Sequence, residues 1–172
     1  MLKGGEKMEE NKKIIITRIF NAPRKIVWNA WTNPEIIKKW WGPEGFTAPS
    51  VKIDFKVGGR YIFAMHGPQG SAWDKDMYSA GVFQEIVPQE RLVLTDYFSD
   101  ENGNKTAPTD HGLSQDMPEE MTVIVTFEEL QEGKTKLTIT YTAENETMYE
   151  AMVKSRMEEG WSTSLNKMAR VL

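Results

Sequence analysis

Asp96 is the side chain with the most chemistry open to it. In Arg91-Leu92-Val93-Leu94-Thr95-Asp96-Tyr97 it shares strand parity with Leu92 and Leu94. A carboxylate on an apolar row loses hydration, which raises its pKa toward the working range of a general acid or base. The competing reading, adopted here, is that the strand has already reached solvent at Asp96. His66, His111 and Tyr61 complete the groups that could move a proton. A zinc site without cysteine would need both histidines and one or two carboxylates, and their spacing matches no ligand pair on a helix or hairpin. Asp110 beside His111, and Asp74-x-Asp76, read as turn residues, so no metal is expected. Ser71, Ser79 and Ser164 lie in no Gly-x-Ser-x-Gly frame and have no patterned His and Asp partners. Gly58-Gly59 and Gly67-Pro68-Gln69-Gly70 lead into strands rather than helix N-termini, which removes a phosphate cradle. The absence of cysteine excludes disulfides, thiolate metal sites and a Cys nucleophile. No catalytic residue is assigned and no cofactor is called for.

Aromatic residues carry more information than the titratable ones. Lys39-Trp40-Trp41-Gly42-Pro43-Glu44-Gly45-Phe46-Thr47, then Val57-Gly58-Gly59-Arg60-Tyr61 and Met65-His66-Gly67, describe an aromatic-walled mouth built from turns. Trp40 and Trp41 are about 100° apart around a helix, so one faces the core and the other sits near the mouth. Phe46 and Trp73, on loops beside strands, suit an entrance. Tyr61, Phe63 and Met65 share one parity and face inward, unless a bulge at Gly58-Gly59 inverts them. Tyr141 ends an inward row with Leu137 and Ile139. Met157 and Trp161 lie on the last helix, beside Gly160. That glycine costs about 1 kcal/mol against alanine in a helix, and close helix-to-sheet packing is preferred to ligand room as its explanation. The expected ligand wall is therefore Trp41, Phe46, Tyr61, Phe63, Met65, Trp73, Asp96, Tyr141, Met157 and Trp161.

These residues need elements to hold them. Residues 13–20 are β-branched and apolar enough for a strand. Two short amphipathic helices follow, carrying Ile26, Val27, Ala30 and Trp31, then Ile36, Ile37, Trp40 and Trp41. From residue 50 the apolar period becomes two, predicting strands at 51–55, 60–66, 77–87, 91–98, 120–129 and 135–143. Short connectors make neighbours antiparallel. Residues 99–119 are the exception, long enough for a functional flap or a mobile excursion. Thr147-x-x-Glu150 has capping-box spacing and opens one helix to residue 172, roughly 37 Å long, with Val153, Met157, Trp161, Leu165, Met168 and Leu172 on one face. Residues 1–12 read as a disordered tail and 13–172 as one domain.

The hydrophobic fraction of 40%, charged fraction of 27% and net charge of −4 are those of an ordinary globule without a basic footprint, so neither nucleic acid nor a membrane is an expected partner. A cytoplasmic location is expected, since the N-terminal residues lack the apolar core of a signal peptide. The aromatic and glycine blocks above, with Gly160-Trp161 and Leu165, resemble the family related to the C-terminal domain of the Hsp90 ATPase activator, in the helix-grip (START/Bet v 1-like) superfamily. The resemblance covers about residues 13–172. It implies an α+β helix-grip fold: a curved antiparallel sheet of six to seven strands wrapped around a long C-terminal helix, with two short helices after the first strand. Three functions are weighed: the first, adopted here, rests on the aromatic and methionine positions, and the other two, with the second as runner-up, are what the resemblance implies. The first is binding of a small hydrophobic or aromatic molecule between sheet and helix. The second is contact with an Hsp90-type chaperone, and the third a cyclase or aromatase chemistry using Asp96, His66, His111 and Tyr61. Monomer and homodimer both remain open.

Overall fold

The computed structural model describes residues 12–172. The tail expected over residues 1–12 lies outside that range except for Lys12, whose carbonyl accepts the Ala143 N–H at 2.8 Å. Strand β1 (Lys13–Phe20) alternates, burying Ile14, Ile16 and Phe20 while Ile15 and Ile19 face outward. Asn21-Ala22-Pro23 ends it, and Pro23, with its fixed φ and no N–H, enters helix α1 (Arg24–Thr32). Asn33 then caps α2 (Pro34–Trp40) by accepting the Glu35 N–H at 3.0 Å, with Pro34 in the first turn. Val27, Ala30 and Trp31 of α1, and Ile37 and Trp40 of α2, form the buried stripes.

The remaining strands are β2 (Val51–Ile53), β3 (Arg60–His66), β4 (Asp76–Val87), β5 (Arg91–Ser99), β6 (Met121–Glu129) and β7 (Thr135–Thr142). They form one seven-stranded antiparallel sheet in the order β1-β7-β6-β5-β4-β3-β2. A meander thus runs from β2 to β7, and β1 adds to its far edge. One face carries Val123, Val125, Phe127, Leu137, Ile139 and Tyr141, which cluster with residues of the helices. The α+β helix-grip expectation is met, including the two short helices after β1.

One local expectation, the parity of β3, is kept, and two are corrected. The sheet's irregularity falls between Phe83 and Glu85 on β4, not at Gly58-Gly59, so the parity of β3 is kept. Gly59 instead lies so close to the chain that a Cβ there would stand 1.9 Å from the Asp54 carbonyl oxygen. The C-terminal helix is two helices, α3 (Glu146–Lys154) and α4 (Met157–Val171). Between them Ser155 Oγ donates to the Met152 carbonyl, the Arg156 N–H tightens onto Val153 at 3.1 Å, and Arg156 takes a left-handed φ of 61°. The break resets the helical phase, which leaves Val153 52% exposed rather than on the buried face. The cap is Asn145, whose side chain accepts the Met148 N–H at 2.8 Å, in place of the Thr147 box.

The segment after β5 is shaped by local turns and a few buried contacts. Asp100 Oδ1 accepts the N–H groups of Asn102 and Asn104 at 2.9 Å each, and a 3₁₀ turn spans Pro108–His111. His111 stacks on Phe98 and pairs with Thr106 Oγ1 at 2.8 Å. Met117 is buried.

Candidate functional site: an aromatic cavity with a buried carboxylate

Between the sheet, the start of α4 and the segment after β5 lies a cavity of about 380 Å³, within the range of small-molecule sites. Deeper in, a chamber of about 30 Å³ shares Trp41, Asp96, Tyr141 and Trp161 with it. The space exists because β3 and β5 direct side chains to the covered face while α4 presents a glycine there. A Cβ at Gly160 would meet only Pro43 Cγ, at 3.8 Å. Close packing therefore does not explain Gly160, and the preferred reading is corrected: the glycine lines open space.

Every residue of the expected wall borders this space. Tyr61 and Phe63 line the inner chamber; Trp41, Asp96, Tyr141 and Trp161 stand at the junction; Phe46, Met65, Trp73 and Met157 line the outer cavity. The tryptophan pair divides as the helical angle requires. Trp40 is buried with its Nε1–H donated to the Ala30 carbonyl at 2.9 Å, and Trp41 faces the cavity. Trp41 meets Phe63 edge-on at 4.9 Å and Trp161 at 5.6 Å, and Trp161 stacks on Trp31 at 5.6 Å. Sequence reading missed Phe98, Leu113, Met117 and Met121. Phe98 shares parity with Asp96, which was a usable signal; Leu113 and Met117 are isolated apolar residues in a polar loop, and no periodicity marks them.

Asp96 corrects the exposed-strand-end reading. It is half-buried and lines both the chamber and the cavity. Loss of hydration among the aromatic rings pushes its carboxyl up to about 6, opposed by a hydrogen bond from Tyr61. The Tyr61 hydroxyl is shared between the Thr95 carbonyl at 2.8 Å and Asp96 Oδ1 at 3.2 Å. Burial, then the nearby Asp96 charge, raises the phenols of Tyr61 and Tyr141 well above the usual tyrosine value. Trp161 Nε1–H donates to Tyr141 Oη at 2.9 Å. Four polar groups thus converge at the inner end of a mainly apolar space: a carboxylate, two phenols and an indole N–H.

The histidines stand elsewhere. His66 is held by Asp76 at 2.7 Å and Asp74 at 2.9 Å, hydrogen bonds that raise its pKa. His111 packs behind Phe98, and its pKa is lowered by burial. Of the groups nominated for proton transfer, only Asp96 and Tyr61 meet. Among the described residues no cluster of His, Asp and Glu is arranged to hold a metal ion, and no helix is long and apolar enough to cross a membrane.

The mouth is tied to α4 by a face that sequence reading did not single out. Lys167 Nζ donates to the carbonyls of Phe46 at 2.9 Å, Gly42 at 3.1 Å and Trp41 at 3.3 Å. Thr163 Oγ1 accepts the Glu44 N–H at 3.2 Å, and Arg170 pairs with the Glu44 carboxylate at 2.7 Å. Partial burial lowers the lysine pKa.

An antiparallel sheet with helices across one face and an aromatic cavity between them defines a helix-grip protein. The chain belongs to the family described as activator of Hsp90 ATPase homolog 1-like protein, whose model matches residues 21–172. Solved structures share the fold along nearly the whole chain. A protein from Arthrobacter aurescens is 29% identical, with a TM-score of 0.76 and coverage of 94% of this chain and 86% of that one. One from Staphylococcus epidermidis is 27% identical, with a TM-score of 0.73 and coverage of 94% and 89%. One from Mycobacterium smegmatis, 24% identical with a TM-score of 0.78 and coverage of 95% and 92%, shows the fold alone. No curated protein matches the chain.

Proposed function

We propose that this protein is a binding module whose cavity takes a small hydrophobic or aromatic molecule. The observation that carries the reading is the cavity of about 380 Å³, walled mainly by Trp, Phe and Met side chains, with Asp96 and Tyr141 at its inner end. An apolar wall supplies affinity through burial of the guest's surface, and Asp96, Tyr61 and Tyr141 orient it. Met65, Met117, Met121 and Met157 give the wall flexible side chains that adapt to the guest's outline. Contact with an Hsp90-type chaperone is a second reading, carried by the family description alone. Residence in the cytoplasm and freedom from a cofactor accompany the first reading.

Native mass spectrometry of the protein purified gently from its own source tests it. We expect a discrete added mass that disappears on denaturation. A clean mass, together with no uptake from a panel of aromatic compounds, would remove the binding-module reading in favour of a partner protein.

A further inference from the structure

The chemistry of the cavity's inner end restricts the guest further, provided the binding reading above holds. Asp96 has one hydrogen-bond donor, Tyr61, and that hydroxyl is shared with a backbone carbonyl. Among the described residues no Lys, Arg or His forms an ion pair with it. Its surroundings are aromatic: Trp41, Tyr61, Phe63, Tyr141 and Trp161 border the chamber with it. Arg156 is the one cationic side chain of the cavity wall, and it is exposed to solvent.

A carboxylate in such surroundings lacks its counter-charge. A neutral guest that fills the cavity strips away more water and worsens that deficit. A cationic guest removes it, and the electron-rich ring faces favour the same charge. We infer that the guest is a lipophilic organic cation, an aromatic or alkyl amine or quaternary ammonium, whose charged nitrogen lies at the junction beside Asp96, Trp41 and Trp161 and whose apolar body fills the outer cavity.

Phenyltrimethylammonium and tert-butylbenzene have the same shape and differ by one charge, and 4-tert-butylbenzoate supplies the opposite sign. In titration calorimetry at pH 7.5 the cation is expected to bind at least about tenfold more tightly than the neutral isostere, and the benzoate most weakly. In Asp96→Asn the ratio of the two affinities should fall toward one. A second measurement needs no variant. At pH 6, repeated in buffers of different ionisation enthalpy, the cation should release protons from the protein and the neutral isostere should take them up. The titratable groups facing Asp96 are the phenols of Tyr61 and Tyr141, whose raised pKa values keep them protonated there; Arg156 is the one cationic side chain of the cavity wall. His111, behind Phe98, titrates nearby, so the proton release must vanish in Asp96→Asn. Equal or tighter binding of tert-butylbenzene, preference for the benzoate, or an unchanged ratio in Asp96→Asn would overturn the cation inference and leave the cavity reading standing. Failure of all three probes to bind the folded wild-type protein would overturn both.

Discussion

Asp96 shows how one residue links stability to the site. Its carboxyl is raised from 3.8 to about 6 in the folded protein, so the native state holds the proton more tightly than the unfolded chain does. The stability this contributes is complete below the unfolded value and is lost as pH rises through the folded one, between about 4 and 6. Above that window the ionised carboxylate costs up to roughly 3 kcal/mol at 1.36 kcal/mol per unit, less whatever water in the cavity screens. Asp96→Asn is therefore expected to raise stability at pH 7.5 by about 1–3 kcal/mol while changing it little at pH 4. Urea unfolding of both proteins at the two pH values reads this, and parallel pH profiles would contradict it. The residue was visible in the sequence as a carboxylate on an apolar row. Its burial was not, because the aromatic rings that enclose it come from β3, β7 and α4, far away along the chain.

Among elements, the strands were legible and the last helix was not. Alternation at period two placed Tyr61 and Phe63 on the covered face, and regular pairing kept them there. The helix break escaped because suitable residues continue across Ser155 and Arg156, so no composition change marks it. Gly160 was noticed but misassigned, since a glycine in a helix looks the same whether it admits a neighbouring backbone or leaves a space. The two roles separate experimentally. Gly160→Ala adds a Cβ that meets nothing closer than 3.8 Å, and a gain of about 1 kcal/mol in thermal unfolding is expected. On the binding-module proposal, Gly160→Leu should remain folded but lose the bound mass, because its side chain would fill part of the cavity. Destabilisation by the alanine would restore the packing explanation.

At the scale of the whole molecule, α4 does two jobs: it covers the sheet, and its Thr163, Lys167 and Arg170 hold the turn that forms the mouth. Residues spaced by four and three share a helix face, so the set was legible as a stripe, but its target was not, since polar stripes usually meet solvent. Replacing Lys167 with Met keeps the alkyl packing and strips the carbonyls of Trp41, Gly42, Pro43 and Phe46 of their donor. A loss of about 1–3 kcal/mol is expected. Faster amide hydrogen exchange at Phe46 and Thr47, with exchange in β6 and β7 unchanged apart from the global shift, would mark the mouth as what loosens. Uniform acceleration would make Lys167 an ordinary stabilising contact.

The indoles add an optical property. Trp31, Trp40, Trp41 and Trp161 form a connected set, with ring centres 5.4–5.7 Å apart from one neighbour to the next. At such separations excitation transfers between neighbouring rings, so the four indoles do not emit independently. Trp41 and Trp161 form part of the cavity wall, and anything that touches either changes the light from all of them. The cavity thus carries its own lamp, and occupancy is readable from near-ultraviolet spectra of the unlabelled protein.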